Sequence, residues 1–350
     1  MSNFAIGLSG LDAATTALEV IGNNTANAST EGYHRQRVEL TPANYSGAGA
    51  NSAGSGVDVA RVTRLVDKLL ETEILSQECT YAQISQELSI MTTMETALGE
   101  FTEGSGLNAT IDKFFDALAG LAAHPLERVY RNDVISSAQV LCSEFKRLGS
   151  SLSTLADDLV LEAQNAAESI NSLVTQIAEL NGKIQVVEIS RGQANNLRDQ
   201  RDQLIRELSQ FVDVDTQERE YGIVDISLAG LPVVTGAITL EIQAGLQDDG
   251  SLGVSAVGSQ GGGLDVEGGR LGALVTLRNE LLDDVASELD TLAQAIITNM
   301  NAVQIQGLGV SGSFTELTGW TLGASDLSSL TAEVTDGTFY IRVTDTTTGA

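Results

Sequence analysis

FKRLGSSLSTLADDLVLEAQNAAESINSLVTQIAELNGKIQVV, residues 145–187, is the stretch that decides the fold of this chain. Its apolar residues recur at alternating steps of three and four, with one additional step of four between Leu159 and Ala163. This pattern predicts one long amphipathic helix that packs in a helical bundle or coiled coil. The apolar positions are Phe145, Leu148, Leu152, Leu155, Leu159, Ala163, Ala166, Ile170, Leu173, Ile177, Leu180, Ile184 and Val187.

Helical patterns continue on both sides of this segment. One stripe precedes it at Ile84, Leu88, Met91 and Leu98, and a second helix, residues 111–121, stops at His124-Pro125. After it, a helix over residues 197–211 carries Arg198 and Asp202 as an i,i+4 surface pair. Residues 212–258 change to a period of two with glycines at the turns, which predicts short strands, and a helix returns over residues 270–303.

These patterns predict a mainly α fold with β insertions. We expect an elongated, multi-domain rod with a long helical bundle or coiled-coil body, a small β-hairpin region and the start of an outer β domain. The expected domains are an N-terminal assembly segment at 1–56, a helical body at 57–304 and an incomplete β-rich outer domain at 305–350. The β insertion of the body is expected at about 212–258.

The N-terminal segment carries little charge. Phe4, Leu8, Leu11, Leu18 and Ile21 fall on one helical face, and the opposite face holds Ala, Gly, Thr and Ser. An isolated helix of this length is marginally stable in water, so we expect it to need a partner. The next stretch, residues 22–32, predicts a turn-forming loop, and residues 37–40 predict a short strand.

The chain as a whole is strongly acidic, with 47 Asp and Glu against 19 Lys and Arg and a formal charge of -28. Such a charge disfavours binding to nucleic acid and to anionic membranes. We expect no membrane insertion, because no run of about 18 apolar residues is evident, and no cleaved signal peptide, because no cationic region precedes Arg35. Cys79 and Cys142 are expected either as small apolar residues in helices or as one long-range bridge.

No pattern calls for catalysis, a metal or a cofactor, so we expect no enzyme. His34 and His124 are the only histidines, and the G-x-G-x-x-G match at residues 307–312 lacks the strand and helix of a nucleotide site. Paired carboxylates are expected as solvated surface in so acidic a chain. Two alternatives remain open, a secreted coiled-coil adhesin or needle-complex translocator, and a surface enzyme such as a glycan hydrolase that uses paired carboxylates.

The stretch IGNNTANASTEGYHRQ, residues 21–36, resembles the N-terminal signature of flagellar rod, hook and hook-associated proteins. Further stretches resemble the FlgK-type family of hook-associated proteins in particular. They are GVDVARVTRLVD (56–67), FFDALAGLAAHP (114–125), IAELNGKI (177–184) and ANNLRDQRD (194–202).

The resemblance implies an extracellular structural protein of the bacterial flagellum that joins hook to filament and is required for filament attachment and motility. It implies as partners further copies of the chain in a ring, the hook protein, the next hook-associated junction protein and the flagellar type III export machinery. Export would occur without a cleaved signal peptide. Family members end in a helix that pairs with the N-terminal one, so we expect this chain, which stops at Ala350, to be C-terminally truncated.

The resemblance and the apolar face together predict an assembly interface of twelve residues. These are Phe4, Leu8, Leu11, Leu18, Asn23, Asn24, Ala26, Asn27, Gly32, Tyr33, Arg35 and Gln36.

Overall fold

Helices and short strands alternate along the chain in the computed structural model, which describes residues 3–43, 56–99, 106–190, 192–258 and 263–306. The expected outer β domain lies almost entirely outside the described residues. The helices are α1 (Asn3–Ala26), α2 (Lys68–Leu98), α3 (Gly106–Ala123), α4 (Arg128–Ile189), α5 (Asn195–Ser209), α6 (Gly269–Thr276) and α7 (Leu282–Gln306). The strands are β1 (Gln36–Pro42), β2 (Val57–Arg64), β3 (Val214–Glu218), β4 (Val224–Leu228), β5 (Leu231–Thr235), β6 (Ile238–Thr239), β7 (Ile242–Leu246) and β8 (Leu252–Ala256).

The chain divides into two compact units, residues 1–293 and 294–350, and the boundary falls within α7. All packing described below belongs to the first unit. The prediction of a mainly α fold with small antiparallel β insertions is confirmed, and the expected domain boundaries stay a prediction.

Helix α4 is the long helix that the 3–4 pattern predicts, and its apolar stripe is buried. Its 62 residues correspond to a length of roughly 90 Å. Ala163, Ile170, Ile177 and Ile184 are completely inaccessible to solvent. The helix begins at Arg128, well before Phe145, because no proline or glycine lies between these two residues.

The remaining core residues pack along α4. Helices α5 and α6 and the strands contribute Ile205, Leu208, Leu271 and Leu274, together with the inward side chains of β4, β5, β7 and β8. Strands β3, β4, β5 and β6 form one antiparallel sheet in sequence order, and β7 and β8 form a separate hairpin. A single helical stripe therefore holds both β insertions against the body.

Two asparagines of α4 fix the strands to the helix through the strand backbone. The Asn171 amide donates to the carbonyl of Ile242 at 2.8 Å and accepts from the Ile242 N–H at 2.9 Å. Asn181 donates to the carbonyl of Val224 at 2.7 Å and accepts from its N–H at 3.2 Å. Each amide thus acts as one residue of a neighbouring strand, and the buried backbone groups at the two strand starts are satisfied.

A third asparagine makes the same pair of hydrogen bonds to a strand backbone, but from a turn in which the helix is irregular. Residues Leu277–Leu281 form a π-helical turn between α6 and α7, and Asn279 in this turn pairs with Leu252. Its amide donates to the Leu252 carbonyl at 2.8 Å and accepts from the Leu252 N–H at 2.7 Å. The wider turn redirects one side chain without ending the helix.

Two sequence expectations on the helices are wrong. The loop expected at residues 22–32 begins later, since α1 continues through Ala26 and places Asn23 and Asn24 in its last turn. Helix α2 leaves Ile84, Leu88 and Met91 of the predicted stripe exposed and buries Cys79, Ala82 and Ile90 instead. Gly268 approaches this inner face so closely that a Cβ there would lie 2.7 Å from the Cys79 sulfur, so glycine is the residue that fits opposite Cys79.

The expectation that no segment is long and apolar enough for a membrane is also wrong. Phe4–Ala26 of α1 spans 23 residues and contains an 18-residue window with a mean hydropathy of 1.4, which suffices by length and composition. Its Ala, Gly and Thr interrupt any continuous run of large apolar residues, yet only Asp12 and Glu19 carry charge.

Both cysteines are free thiols, Cys79 buried and Cys142 exposed, so the alternative of a long-range bridge is excluded.

Substitution of Leu173 by Asp should destabilise the body by about 3 kcal/mol, because it buries an unpaired carboxylate in the α4 seam. Glu168→Gln, on the exposed side of the same helix, should change the free energy of unfolding by less than about 0.5 kcal/mol. Urea unfolding of both variants measures the difference. Equal losses would show that this face of α4 is not the packed one.

Candidate assembly interface

Helix α1 has two different long faces. One side, with Ile6, Ser9, Ala13, Val20 and Asn24, is wholly or partly buried, and α1 makes its contacts with β1 and β2. The other side carries an apolar stripe at Phe4, Leu8, Leu11, Leu18 and Ile21, whose exposed fractions run from 48% to 80%. We call these five residues the outer stripe. The apolar face predicted from the sequence is therefore the face without a partner within the described residues.

The first attachment of α1 to the β1–β2 hairpin lies at Ser9. Its hydroxyl accepts a hydrogen bond from the Val57 N–H at 3.2 Å and donates to the carbonyl of Ile6 at 2.9 Å. Gly56 approaches so closely that a Cβ there would lie 2.2 Å from the Ser9 oxygen, and its φ is +100°. Only glycine fits this close contact without strain.

The second attachment is at Asn24, a fourth asparagine whose side-chain amide bonds both backbone groups of one strand residue. We call this arrangement the Asn24 clamp. Its amide donates to the carbonyl of Gln36 and accepts from the Gln36 N–H, each at 2.8 Å. The Tyr33 hydroxyl donates to the same amide oxygen at 2.9 Å. Asn24 and Tyr33 thus join the end of α1 to the start of β1 within one chain.

The turn between α1 and β1 is held by its own polar side chains. The Asn27 amide donates to the Asn23 side-chain oxygen at 2.6 Å, and the Thr30 hydroxyl donates to Asn27 at 3.2 Å. Gly32 has a φ of +74°, and a Cβ there would touch the Gln203 side chain of α5 at 3.4 Å. The turn is thereby packed against the body.

Polar residues of α5 hold the hairpin on the body. Asn195 donates to the carbonyl of Val62 at 2.8 Å. The Arg64 guanidinium donates to Asp199 at 2.6 Å and to Asp202 at 2.7 Å, and Arg64 and Asp199 are nearly inaccessible to solvent. We call Arg64, Asp199 and Asp202, together with His34, the polar latch. Breaking such a shielded ion pair costs more than breaking a surface pair, because the remaining charge is left without compensation.

His34 lies between carboxylates from two helices. Its Nδ1 is 2.8 Å from Asp199 of α5, and its Nε2 is 3.4 Å from Glu71 of α2. Glu71 also accepts from Arg206 at 3.2 Å. A neutral imidazole has one N–H, so only the protonated ring can donate to both carboxylates.

Contacts within the polar latch shift the pKa values of His34 and Asp199. The hydrogen bond to Asp199 raises the pKa of His34 above its usual 6.5, against the opposing effect of burial. Burial raises the pKa of Asp199, but the hydrogen bonds from His34 and Arg64 outweigh it and hold that pKa below its usual value. The latch therefore favours a cationic His34 beside an anionic Asp199.

The latch does not fit a metal ion. His34, Asp199 and Asp202 offer ligand atoms within 4.8 Å of one another. The Arg64 guanidinium, however, already contacts both aspartates at 2.6 and 2.7 Å. A divalent ion would have to displace this buried cation, so the arrangement acts as a structural anchor.

The twelve predicted interface residues separate into two groups. Seven are exposed, namely Phe4, Leu8, Leu11, Leu18, Asn23, Ala26 and Arg35. The other five are wholly or partly buried within the chain, namely Asn24, Asn27, Gly32, Tyr33 and Gln36. The second group shapes the segment that presents the first, and a role for either group in assembly stays a prediction.

Sequence reasoning missed the residues that hold the segment on the body. Arg198 and Asp202 are not an i,i+4 surface pair, since Arg198 binds Glu188 through two 2.7 Å hydrogen bonds and Asp202 binds Arg64. The available signal was the density of Asn, Arg and Asp in residues 194–202, which is high for a helix that must also bury Ile205 and Leu208.

Replacement of Asn24 by Ala should lower the free energy of unfolding by about 1–3 kcal/mol, since it leaves the Gln36 backbone groups without partners. Asn165→Ala is the matched control, because Asn165 lies on the exposed side of α4 and the change should not lower stability. Urea unfolding with amide exchange at Gln36 measures both. Similar effects at the two positions would contradict the clamp.

The stability that His34 contributes should decrease with rising pH. A histidine whose pKa is raised by folding contributes fully below its unfolded pKa, and that contribution is lost as the pH rises through the folded pKa. The free energy of unfolding should therefore fall as the pH rises from the usual histidine pKa of about 6.5 through the raised pKa of His34 in the folded state, and His34→Gln should remove this part of the slope. His124→Gln, the control at the other histidine, should leave the slope in place; an unchanged slope in His34→Gln would contradict the latch.

Two family models match the chain. The model described as "Flagellar hook-associated protein FlgK helical domain" matches residues 91–317, and "Flagella basal body rod protein" matches residues 4–34. The second match covers α1 and its turn, and the first covers most of the helical body.

Relatives of known name and one solved structure agree with the family models. The chain is 27% identical over 316 residues to flagellar hook-associated protein 1 of Salmonella typhimurium and 28% identical over 313 residues to that of Bacillus subtilis. Each match covers 87% of this chain but only 57% or 56% of the relative, so the chain spans little more than half their length.

The flagellar hook junction protein FlgK from Burkholderia pseudomallei has a similar fold. The TM-score is 0.52 at 24% identity, over 59% of this chain and 39% of that one. Since the helical-domain model alone spans more than half of the sequence, this chain belongs to the FlgK family of flagellar hook-associated proteins.

Proposed function

We propose that this chain is a structural subunit of the bacterial flagellum that assembles with copies of itself at the hook–filament junction and joins hook to filament. Support comes from its family and from relatives named for the hook and its junction. Its partners would be neighbouring copies in a ring, the hook protein, the next hook-associated junction protein and, before assembly, the flagellar export machinery. Catalysis has no part in this proposal.

The outer stripe of α1 is the observation that carries the proposal. Five large apolar side chains stand exposed on a helix whose opposite face is docked on its own hairpin. Burial of one such side chain contributes about 1.5–3 kcal/mol. A contiguous apolar surface of this kind marks a binding site, since monomers rarely expose one without use.

The docking of α1 makes this stripe suitable for assembly. The Ser9 contact, the Asn24 clamp and the polar latch connect α1 to the hairpin and the hairpin to the body. A prearranged helix loses less conformational entropy on binding than a disordered segment does. Each subunit of a ring would thus present its stripe in the same orientation.

The proposed location is extracellular, at the distal end of the hook. Export through the flagellar type III channel would require no cleaved signal peptide. The length and hydropathy of α1 also fit a membrane-inserted helix, so the experiment must separate self-assembly from membrane binding.

A double substitution, Leu8→Ser with Leu11→Ser, should leave the melting temperature of the monomer within about 2 °C, because both side chains are exposed. It should impair self-association in sedimentation velocity and, in the flagellated bacterium, yield hooks that shed their filaments and release flagellin. Loss of both contacts corresponds to about 3–6 kcal/mol per interface if they are fully buried.

Asp12→Asn with Glu19→Gln is the matched control on exposed polar positions of the same helix, and we expect it to assemble normally. Wild-type filament numbers in the Leu8/Leu11 variant would overturn the proposal. So would loss of binding to phospholipid vesicles with self-association unchanged, which would assign the stripe to a membrane.

A further inference from the structure

Helix α1, its turn and the β1–β2 hairpin take no part in the apolar core of the body. We call these elements the N-terminal arm. Among the described residues, the core along α4 includes no residue of the arm, and its first member in the chain is Leu75. Elements α1, β1 and β2 make their main contacts with one another. The apolar burial that stabilises the body therefore contributes little to holding the arm in place.

Open space lies on two sides of the attachment between arm and body. One cleft of about 560 Å³ lies between Val20 and Val62 of the arm and Val187 and Leu197 of the body. A second cleft of about 560 Å³ lies between the hairpin, the start of α2, α5 and β3. The arm is not tightly packed on the body at these places, so it can move away without opening the apolar core.

A short connection joins the arm to α2. Strand β2 ends at Arg64 and α2 begins at Lys68, and Leu65 still donates to the carbonyl of Arg35 in the arm at 2.9 Å. Asp67 caps α2 with its own side chain, which accepts from two backbone N–H groups of the first turn at 3.1 and 3.3 Å. The start of α2 thus needs no contact with the arm. The two residues before α2 can act as a hinge, since hinges are a few element-terminal residues that absorb changes in φ and ψ.

Ion pairs and hydrogen bonds hold the arm on the body instead. Within the described residues, the two arm residues that form ion pairs with the body are both cations, His34 and Arg64, and their partners are carboxylates of α2 and α5. Asn195 of α5 adds a hydrogen bond to the carbonyl of Val62 at 2.8 Å. Because these bonds are few and converge on His34 and Arg64, loss of either residue removes a large part of the attachment.

The proton on His34 completes the charge balance of this attachment. Ion pairs connect His34 to a network of four carboxylates and three guanidinium groups. A protonated His34 supplies the fourth positive charge and can donate to both Asp199 and Glu71, whereas the neutral ring can donate to only one of them and leaves an excess negative charge. The other members of the network are Arg64, Glu71, Glu78, Asp199, Arg201, Asp202 and Arg206.

We propose that the polar latch is a pH-sensitive switch that fixes the N-terminal arm in one orientation while His34 is protonated and releases it as a folded unit when His34 loses its proton. The released arm stays intact because the Ser9 contact and the Asn24 clamp lie within it. The body stays folded because its core lies outside the arm. The consequence for assembly rests on the proposed function, since a fixed arm presents the outer stripe to neighbouring copies with less loss of conformational entropy.

The direction of the switch follows from the contacts of His34. Docking of the arm raises the pKa of His34, chiefly through the hydrogen bond to Asp199, so the docked state binds the proton more tightly than the released state does. The ratio of docked to released molecules should fall as the pH rises through the raised pKa, by at most about tenfold for each unit by which docking raises it. Tyr33, the neighbouring titratable residue, stays neutral over this range, because burial and Asp199 raise its pKa.

Distances between pairs of spin labels on the 350-residue chain test the switch. One pair, at Thr41→Cys in the arm and Thr175→Cys on α4, reports docking, and a second pair, at Ala14→Cys and Thr41→Cys, reports the arm itself. All three positions are exposed, and Cys142→Ser removes the exposed native thiol. Each pair is measured at about pH 5.5 and about pH 8.5, on the two sides of the histidine titration. Far-ultraviolet circular dichroism reports whether the helices of the body persist.

The docking distance should be narrowly distributed at the lower pH and broad at the higher pH, with the distance within the arm unchanged. His34→Gln should give the same docking distribution at both pH values, and Arg64→Gln should give a broad one at both. His124→Gln, the control at the other histidine, should behave as the wild type. A wild-type docking distance that is identical at both pH values would overturn the switch, and so would broadening accompanied by loss of helical signal.

Sedimentation velocity at the same two pH values separates the switch from the proposed function. Self-association of the wild type should weaken at the higher pH, and that of His34→Gln should not depend on pH over this range. A chain that stays monomeric at both pH values while its docking distance changes would overturn self-assembly and leave the switch intact. Self-association that persists with a docking distance independent of pH would do the reverse.

Discussion

The buried stripe of α4 is the constraint on which the rest of the structure depends. One helix of 62 residues must keep a continuous apolar face out of water, and no single neighbour is long enough to cover it. Helices α3, α5 and α6 and the two β insertions cover successive parts of it. The first residues of β4 and β7, Val224 and Ile242, pair with Glu218 and Ala256 of neighbouring strands, but their own backbone N–H and C=O groups face α4. Asn171 and Asn181 supply the missing hydrogen bonds, and so a polar residue is kept on an otherwise apolar face.

The N-terminal segment is held by the opposite kind of interaction. Its attachment to the body is polar and shielded, through Arg64, His34 and the aspartates of α5, and its large apolar side chains point outward. This division has a physical rationale. Directional hydrogen bonds and ion pairs fix the orientation of the segment within one chain, and the apolar surface stays free to contribute to contacts between chains.

The distribution of charge complements that of apolar surface. The outer stripe is nearly free of charge, and acidic residues outnumber basic ones in the chain as a whole by 47 to 19. A strongly acidic surface keeps a monomer with an exposed apolar helix from associating at random.

The sequence by itself determined the long helix, the short strands of residues 212–258, the apolar stripe of α1 and, by its motifs, the family. These features follow from local periodicity and turn chemistry, which act over a few neighbouring residues. Only the tertiary structure decided what lies opposite a given side chain. Thus Asn24 and Tyr33, predicted at an interface, bind within the chain, and Arg198 and Asp202 form separate ion pairs with Glu188 and Arg64. On α2 the buried residues are Cys79, Ala82 and Ile90, and the predicted stripe at Ile84, Leu88 and Met91 is exposed. Contacts such as Asp199 with His34, which are 165 residues apart, leave no periodic trace, since they depend on where the fold brings distant segments together.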